Sequence, residues 1–303
     1  MTDPVLAVVV INYETGDLLR ECIRSLHSEA AQLPAEIVVV DNGSTDGSVA
    51  RMRAEFPDVA VVDPGGNVGY AAAANRGIAS VRASLVAVLN PDTVVEPGTL
   101  AAMRDALADP GVAAVGPLIR NADGSVYPSA RHVPSFADAV GHGIFGMFWP
   151  TNPFTRRYRQ LDADPTRPRD VDWVSGAAIF MRRDALDRVG GWDEGYFMYV
   201  EDVDLCWRLR RDGWRIRFDP RGAIEHVQGA SAARRPVRMV IEHHRSLQRF
   251  ATKRWRGPKR LLLPFSAVYL VLRAGAAVVA LRFSPDTPRQ PRVSGPKASA
   301  STN

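Results

Sequence analysis

The stretch VLAVVVINYETGDLLRECIRSLHSEAAQLPAEIVVVDNGSTDGS, residues 5–48, decides the fold class. It begins with VLAVVVI, an unbroken run rich in β-branched residues that suits a strand buried on both faces. Leu18, Leu19, Cys22, Ile23 and Leu26 then recur at helical spacing, and EIVVV supplies a second apolar run. Outward from this β-α-β unit the alternation continues. SVARMRAEF reads as a helix, VAVV as a strand, GYAAAANRGIASV as a helix and SLVAVL as a strand; TLAAMRDAL and VAAVG repeat the pair. Such alternation predicts an α/β architecture, a Rossmann-like and mostly parallel sheet flanked by helices.

Composition limits the alternatives. The chain has 303 residues, 46% hydrophobic and 23% charged, enough for one large globular domain with an appendage. Its two cysteines, Cys22 and Cys206, support neither a disulfide framework nor a cysteine zinc site, so a reducing cytosol is the expected setting. MTDPVLAVVVINYE lacks a basic start and a small-residue cleavage site, so no signal peptide is expected. The net charge is +5, with Arg and Lys gathered after residue 205 in RLRRDGWRIR, AARRPVR and TKRWRGPKR. A basic late half suits nucleic acid, anionic lipid or a diphosphate-bearing substrate. Regular aromatic interleaving for single-strand stacking is not evident, and no nucleic acid is expected.

From about 117 to 170 the alternation breaks. NADGSVYPSARHVPSF and MFWPTNPFTRRYRQLDADPTRPRD are rich in Pro, aromatics and Arg, and predict an irregular region over the sheet. Regular elements return with VDWVSGAAIFMRR, a helix from Asp184, a helix over EDVDLCWRLRR, and strand-like RIRF and AIEHV. The expected organisation is 1–116 and 117–256 as two halves of one domain, 257–283 as an apolar segment, and 284–303 as a disordered tail.

Ligands of open α/β sheets bind beyond the carboxyl ends of the parallel strands. Those ends are polar here: INYE after the first strand, DNGSTDGS after the second, NPD after residues 85–89. Asp41, Asn42, Ser44 and Asp46 could form only a turn and a helix cap. At a strand end, however, Asp41 can accept the imide N–H of uracil or thymine, with Asn12, Tyr13 and Asn42 flanking the ligand. Asp92 offers a hard oxygen to Mg²⁺ or Mn²⁺ and so to a bound diphosphate. GGNVGYAAAANRG lacks the G-x-G-x-x-G spacing and does not follow the first strand, so it is no dinucleotide fingerprint. Gly66 and Gly69 with Asn67, Asn75 and Arg76 still suit a nucleotide-sugar lip.

GYFMYVEDVDLCWRLRRDGW, residues 195–214, crowds Glu201, Asp202 and Asp204 into the first turn of an apolar helix. Positions 202, 205, 206 and 209 follow i, i+3, i+4, i+7, so Asp202 shares the inward face with Leu205, Cys206 and Leu209. Glu201, Asp204, Arg208 and Arg211 fall on a neighbouring polar face, where Asp204 and Arg208 can pair at i, i+4. An inward carboxylate in a cleft is a candidate general base, so Asp202 is the first choice and Glu201 the second. His226 ends a strand-like segment, and its imidazole could complete a site with Asp92.

Taken together in this order, VVVINYETGDLLRECIRSL, VVVDNGSTDGS, GGNVGYAAAANRG, NPDT, VSGAAIFMRR, the acidic helix and HVQGAS resemble the family 2 glycosyltransferases of the GT-A fold, in particular the bacterial rhamnosyltransferases. The resemblance covers roughly residues 5 to 250. It implies inverting transfer of L-rhamnose from dTDP-L-rhamnose to a polyprenyl-diphosphate-linked N-acetylglucosamine in cell-wall or polysaccharide assembly. It implies Asn12, Asp41 and Asn42 at the nucleotide, Asp92 and His226 at a Mg²⁺ or Mn²⁺ diphosphate site, and Asp202 as base. Trp173 and Gly176 are expected on the acceptor side, and a homodimer is a possible assembly. NPD supplies one carboxylate where many GT-A enzymes have two, which puts the metal requirement in question. Alternatives are a relative using galactose or N-acetylglucosamine donors, a nucleotidyltransferase, for which the Gly-rich triphosphate loop after the first strand is missing, and a non-catalytic nucleotide-sugar binding module.

LLLPFSAVYLVLRAGAAVVALRF, residues 261–283, approaches the length of a membrane span but is interrupted by Pro264 and Arg273. With KRWRGPKR before it, it is expected to lie in the inner face of the cell membrane as a monotopic segment. The alternative is a buried C-terminal helix.

Overall fold

The computed structural model describes residues 5–146, 149–227 and 236–283. Strand β1 (Leu6–Asn12) is buried along its whole length, which explains its unbroken apolar sequence. Helix α1 (Leu18–Ala30) covers one sheet face with Leu19, Cys22, Ile23 and Leu26, each such side chain contributing roughly 1.5–3 kcal/mol by leaving water. β2 (Ala35–Asp41) runs parallel to β1 with Asn12 beside Asp41, so the two polar strand ends meet. α2 (Ser48–Glu55) leads to β3 (Ala60–Val62) at the edge, and α3 (Tyr70–Ala79) to β4 (Leu85–Leu89), parallel to β1 on its other side. β5 (Thr93–Val95), α4 (Thr99–Ala106) and β6 (Val112–Asn121) follow.

The expected irregular region over 117–170 contains regular structure. β6 runs on to Asn121, β7 (Val126–Tyr127) folds back on it, and β8 (Ala130–Arg131) precedes helices α5 (Phe136–Phe145) and α6 (Pro153–Arg159). The prolines misled because Pro153 stands at a helix start, where its missing N–H has no cost. Ser135 and Asn152 cap the two helices by accepting from the Asp138 and Thr155 N–H groups.

β9 (Arg169–Val171), β10 (Trp173–Val174), β11 (Ala178–Arg182) and α7 (Arg183–Arg188) come next. The acidic helix is α8 (Glu201–Arg211). RIRF and AIEHV belong to one strand, β12 (Arg215–His226), whose register slips between Asp219 and Ala223. α9 (Pro236–Arg254), absent from the sequence reading, leads through a 3-10 turn at Gly257–Leu262 to α10 (Leu263–Phe283).

The main sheet follows the order β3-β2-β1-β4-β11-β6-β12-β5. The parallel block is β3-β2-β1-β4; β11 joins it antiparallel, and β12 lies parallel to β6. Late strands β11 and β12 are thus interleaved with early ones, and the first and second halves share one sheet. One core packs α3 and α8 on the sheet, the other packs α1 and α4 on the opposite face. The window Gly257–Leu281 is long and apolar enough to cross a membrane, and none of it is buried. This excludes the buried-core alternative for the C-terminal helix. The segment expected to be a tail lies outside the described residues.

Candidate active site

The polar strand ends form a compact hub. Asn12 is fully buried: its Nδ2 donates to Asp41 Oδ1 at 3.2 Å and to the Ser44 and Ser48 hydroxyls at 3.0 Å, while its Oδ1 accepts from Thr15 at 2.6 Å. Asn12 therefore shapes the pocket from behind and positions the Asp41 carboxylate. Asn42 Oδ1 accepts from the Val68 N–H at 2.9 Å, and its Nδ2 donates to Asn67 at 3.2 Å, joining the second strand end to the glycine lip. Gly69, with φ of 87°, packs so close to Phe197 that a Cβ would stand 2.7 Å from its carbonyl oxygen. Asn75 lies on the far side, clasping Trp192 through its N–H at 3.0 Å and its carbonyl at 2.9 Å. Tyr13, Asn42 and Asn67 line the central cleft of about 610 Å³; Asn12 is buried behind it, Asn75 lies away from it, and Asp41 stands partly exposed at its rim, next to Asn42.

Asp92 and His226 come from distant segments and meet in the same cleft, with Asp92 Oδ1 3.1 Å from His226 Nε2. The antiparallel pairing of β5 and β12 sets His226 opposite Thr93, next to Asp92. Asn90 Nδ2 approaches the same imidazole nitrogen at 3.4 Å. One hard oxygen and one imidazole nitrogen at this separation fit a divalent cation of the Mn²⁺ or Mg²⁺ kind. Among the described residues no third His, Cys, Asp or Glu joins them, so further ligands would be water or substrate oxygens.

Across the cleft stands the start of α8. Tyr199 and Val200 have φ of 67° and 68°, left-handed conformations that non-glycine residues adopt at roughly 1–3 kcal/mol each. Their strain turns the chain so that α8 opens with Glu201 and Asp202 against the cleft. Packing compensates for it: Val200 is buried with Tyr196 and Phe250, and Ser246 of α9 donates to the Met198 carbonyl at 2.9 Å.

Asp202 lies on the inward face with buried Leu205, Cys206 and Leu209, as its spacing predicts. Its Oδ2 accepts from the Gly176 N–H and its Oδ1 from the Val203 N–H, both at 2.8 Å. Burial raises its pKa; the two N–H groups and the nearby Arg131 oppose the rise. Glu201 is buried, its Oε2 has no hydrogen-bond partner among the described residues, and burial followed by the Asp202 charge pushes its pKa well up. The two N–H groups and Arg131 favour the charged form of Asp202, while Glu201 has no such support beyond its own N–H, so Asp202 is the better placed of the two to stay a carboxylate.

Asp204 departs from the expected polar face. It does pair with Arg208, at 2.7 Å, but it is fully buried, because Lys253 of α9 reaches its other oxygen at 2.5 Å and Tyr196 donates to it at 3.3 Å. A helical wheel cannot show that a second helix covers that face.

Several cleft residues escaped the sequence reading. Arg131 is 9% exposed and lies over the rings of Trp173, Tyr127 and Tyr158 at 5.0, 5.3 and 5.6 Å. His243, Leu247 and Phe250 present one face of α9 to the same cleft. The only sequence signal was the concentration of aromatics and Arg in the segment read as irregular. Trp173 and Gly176 line the cleft beside Asp202.

Comparison with known proteins agrees with this geometry. The family described as "Glycosyltransferase like family 2" matches residues 4–245. The chain is 41% identical over 279 residues to the N-acetylglucosaminyl-diphospho-decaprenol L-rhamnosyltransferase of Mycobacterium tuberculosis, covering 87% of this chain and 90% of that protein. It is 31% identical over 229 residues to the pre-mycofactocin glycosyltransferase of the same species, covering 74% of this chain and 42% of that one. Among solved structures, the mannosyltransferase PcManGT of Pyrobaculum calidifontis, in complex with GDP-Man and Mn²⁺, superposes with a TM-score of 0.56 at 21% identity, over 95% of this chain and 78% of that one. GalNAc-T7 with UDP, GalNAc and Mn²⁺ gives 0.56 at 17% identity, over 74% and 43%. These two likenesses speak to the fold alone. With the family match and the first relative spanning most of the chain, the protein belongs to the family 2 glycosyltransferases and carries their GT-A fold.

Proposed function

We propose that the protein moves L-rhamnose from dTDP-L-rhamnose, with inversion, onto the N-acetylglucosamine of a polyprenyl-diphosphate-linked acceptor at the cytoplasmic face of the membrane, in cell-wall polysaccharide assembly. The observation that carries the reading is the opposition, across one cleft, of the Asp92–His226 pair and the Asp202 carboxylate held by the Gly176 N–H. The similarity to a rhamnosyltransferase supports the choice of sugar and acceptor.

In this reading Asp41 and Asn42 take the nucleobase end of the donor, and Tyr13 and Asn67 its flank. Asp92 and His226 would hold Mn²⁺ or Mg²⁺, which when bound neutralises charge on the donor diphosphate. Asp202 accepts the proton of the acceptor hydroxyl as that oxygen forms its bond to the anomeric carbon. The bond to the diphosphate oxygen breaks with its electron pair leaving on the diphosphate. One displacement inverts the configuration. Glu201, protonated and unable to compete for that proton, keeps a second negative charge out of the pocket. Trp173 and Gly176 border the acceptor position.

The test offers dTDP-rhamnose, UDP-galactose and UDP-N-acetylglucosamine separately with a polyprenyl-diphosphate N-acetylglucosamine acceptor. Rhamnose transfer alone is the expected result. Preferential use of either UDP-sugar rejects the donor assignment, and addition of EDTA is expected to stop transfer until Mn²⁺ or Mg²⁺ is restored.

A further inference from the structure

Most arginines of this chain that lie near its surface are ion-paired, including Arg156 with Asp162 and Arg157 with Asp138 on α6. Three neighbours in the fold differ. Arg131, Arg159 and Arg273 have no carboxylate partner among the described residues. Arg131 uses three N–H groups, donating to Pro128 O at 2.7 Å, Tyr127 Oη at 2.7 Å and Tyr158 Oη at 3.4 Å. A guanidinium has five donors, so two remain, on a group fixed in an aromatic box at the cleft wall.

Arg159 follows Tyr158 directly, and its Nε is buried without an acceptor. Burial and then the neighbouring Arg131 hold its pKa below the ordinary value. Arg273 enters from α10. A side chain at Gly143 of α5 would collide with Tyr269 Oη, so α10 packs on α5 there, and Arg273 stands one helical turn further along the same face. His142 of α5 registers all three charges: burial, then Arg159, Arg273 and Arg131, push its imidazole down to about 4. A positive cluster with no ion-paired carboxylate among the described residues thus lies between the catalytic cleft and α10, with Asp202 across the cleft acting on Arg131 alone. Beside it, Ile144, Phe145 and Trp149 are exposed along with Phe265, Val268 and Leu272 of α10, an apolar surface at the same end of the molecule.

We propose that Arg131, with Arg159 and Arg273 behind it, forms a diphosphate subsite that holds the lipid-linked acceptor by its diphosphate, at the junction of cleft and membrane-facing surface. This rests on the transferase reading above and assigns the acceptor end that the reading leaves open. Arg131 contacts the anion. Arg159 and Arg273 raise the local potential and hold it in place. A diphosphate anchored there sets the first sugar between Arg131 and Asp202, and directs the polyprenyl chain toward α10.

The probe is geranyl diphosphate, titrated without divalent cation so that the Asp92–His226 site is not engaged, with Trp173 fluorescence and calorimetry as readouts. Wild type is expected to bind, and an excess of dTDP not to displace it. Arg131→Gln is expected to weaken binding by roughly ten-fold or more and Arg131→Lys to restore part of it. Arg159→Gln and Arg273→Gln, both outside the aromatic box and expected to melt like wild type, each weaken it several-fold. Unchanged affinity in all three glutamine variants, or displacement by dTDP, overturns the proposal. So does loss of binding to phosphatidylglycerol vesicles in variants that still bind geranyl diphosphate normally, which would make the cluster a headgroup contact. If no sugar is transferred but geranyl diphosphate binding still depends on the three arginines, the donor reading fails and the subsite stands.

Discussion

Glu201 and Asp202 are adjacent in sequence and unlike in environment, and that difference makes their behaviour testable. Asp202 faces the N–H groups of Gly176 and Val203 and the charge of Arg131, whereas Glu201 has only its own backbone N–H. Asp202→Asn is expected to lower transfer by roughly 10² to 10⁴-fold while donor binding survives, read by single-turnover kinetics beside a donor titration. An active variant would remove Asp202 from the base role. Because the Asp202 pKa is raised, wild-type transfer should climb with pH through a value above that of an ordinary aspartate. The same pair affects stability. Both folded-state pKa values lie above the unfolded ones, so the folded chain keeps protons that the unfolded chain releases. Stability is therefore full below the ordinary carboxylate range and falls as pH rises through the window up to the raised values. Glu201→Gln should flatten that decline, with melting at pH 8 a few degrees closer to that at pH 5 than in wild type.

Helix α8 depends on α9 for more than its cover. Lys253 and Arg208 both converge on Asp204, Arg208 also donates to the Val189 and Gly191 carbonyls at 2.8 and 2.7 Å, and Lys253 and Arg249 reach Asp193 at 2.7 and 2.8 Å. Burial works to raise the Asp193 pKa, yet the hydrogen bonds from Arg249 and Lys253 outweigh it and hold the carboxyl below its usual range. This network pins α9 across the strained turn that aims Asp202. Asp204→Ala leaves two cations without their buried partner, at a cost of about 3–5 kcal/mol, and calorimetry should show a melting point lower by about 10 °C. Survival of the wild-type melting point would show that the network contributes little. The i, i+4 pair of Asp204 with Arg208 was visible in the sequence; Lys253 and Tyr196 were not, because they reach the carboxylate from 49 residues later and from the strained loop before the helix.

For the molecule as a whole, the apolar end forms an exposed surface. α10 packs on α9 through Ser266, whose hydroxyl donates to Gln248 Oε1 at 2.8 Å, and turns Phe265, Val268 and Leu272 outward. Phe265→Ser combined with Leu272→Ser should release the protein from phosphatidylglycerol vesicles in a flotation assay and leave its melting point within about 1 °C, since neither side chain is buried. Vesicle binding equal to wild type would mean that another surface carries the membrane contact. The position of α10 next to α5 also sets this exposed apolar surface near the cleft, as the proposed lipid-linked acceptor would require.

Local sequence determined the strands, the helices that alternate with them, the polar strand ends and the inward face of Asp202, because buried strands and amphipathic helices write their periods directly into neighbouring residues. It also set the charge asymmetry and the apolar end. What it left open depends on pairing between distant segments. His226 meets Asp92 only because β12 lies against β5. Asn12 becomes a buried hub only because β1 and β2 end in register. Glu201 and Asp202 differ in surroundings in part because Gly176, from the turn after β10, and Arg131, from β8, face one carboxylate and not its neighbour. The aromatic box around Arg131 gathers Tyr127, Tyr158 and Trp173 from three elements. Desolvation and charge–charge energies are set by separation in space, and no local period in the chain encodes that.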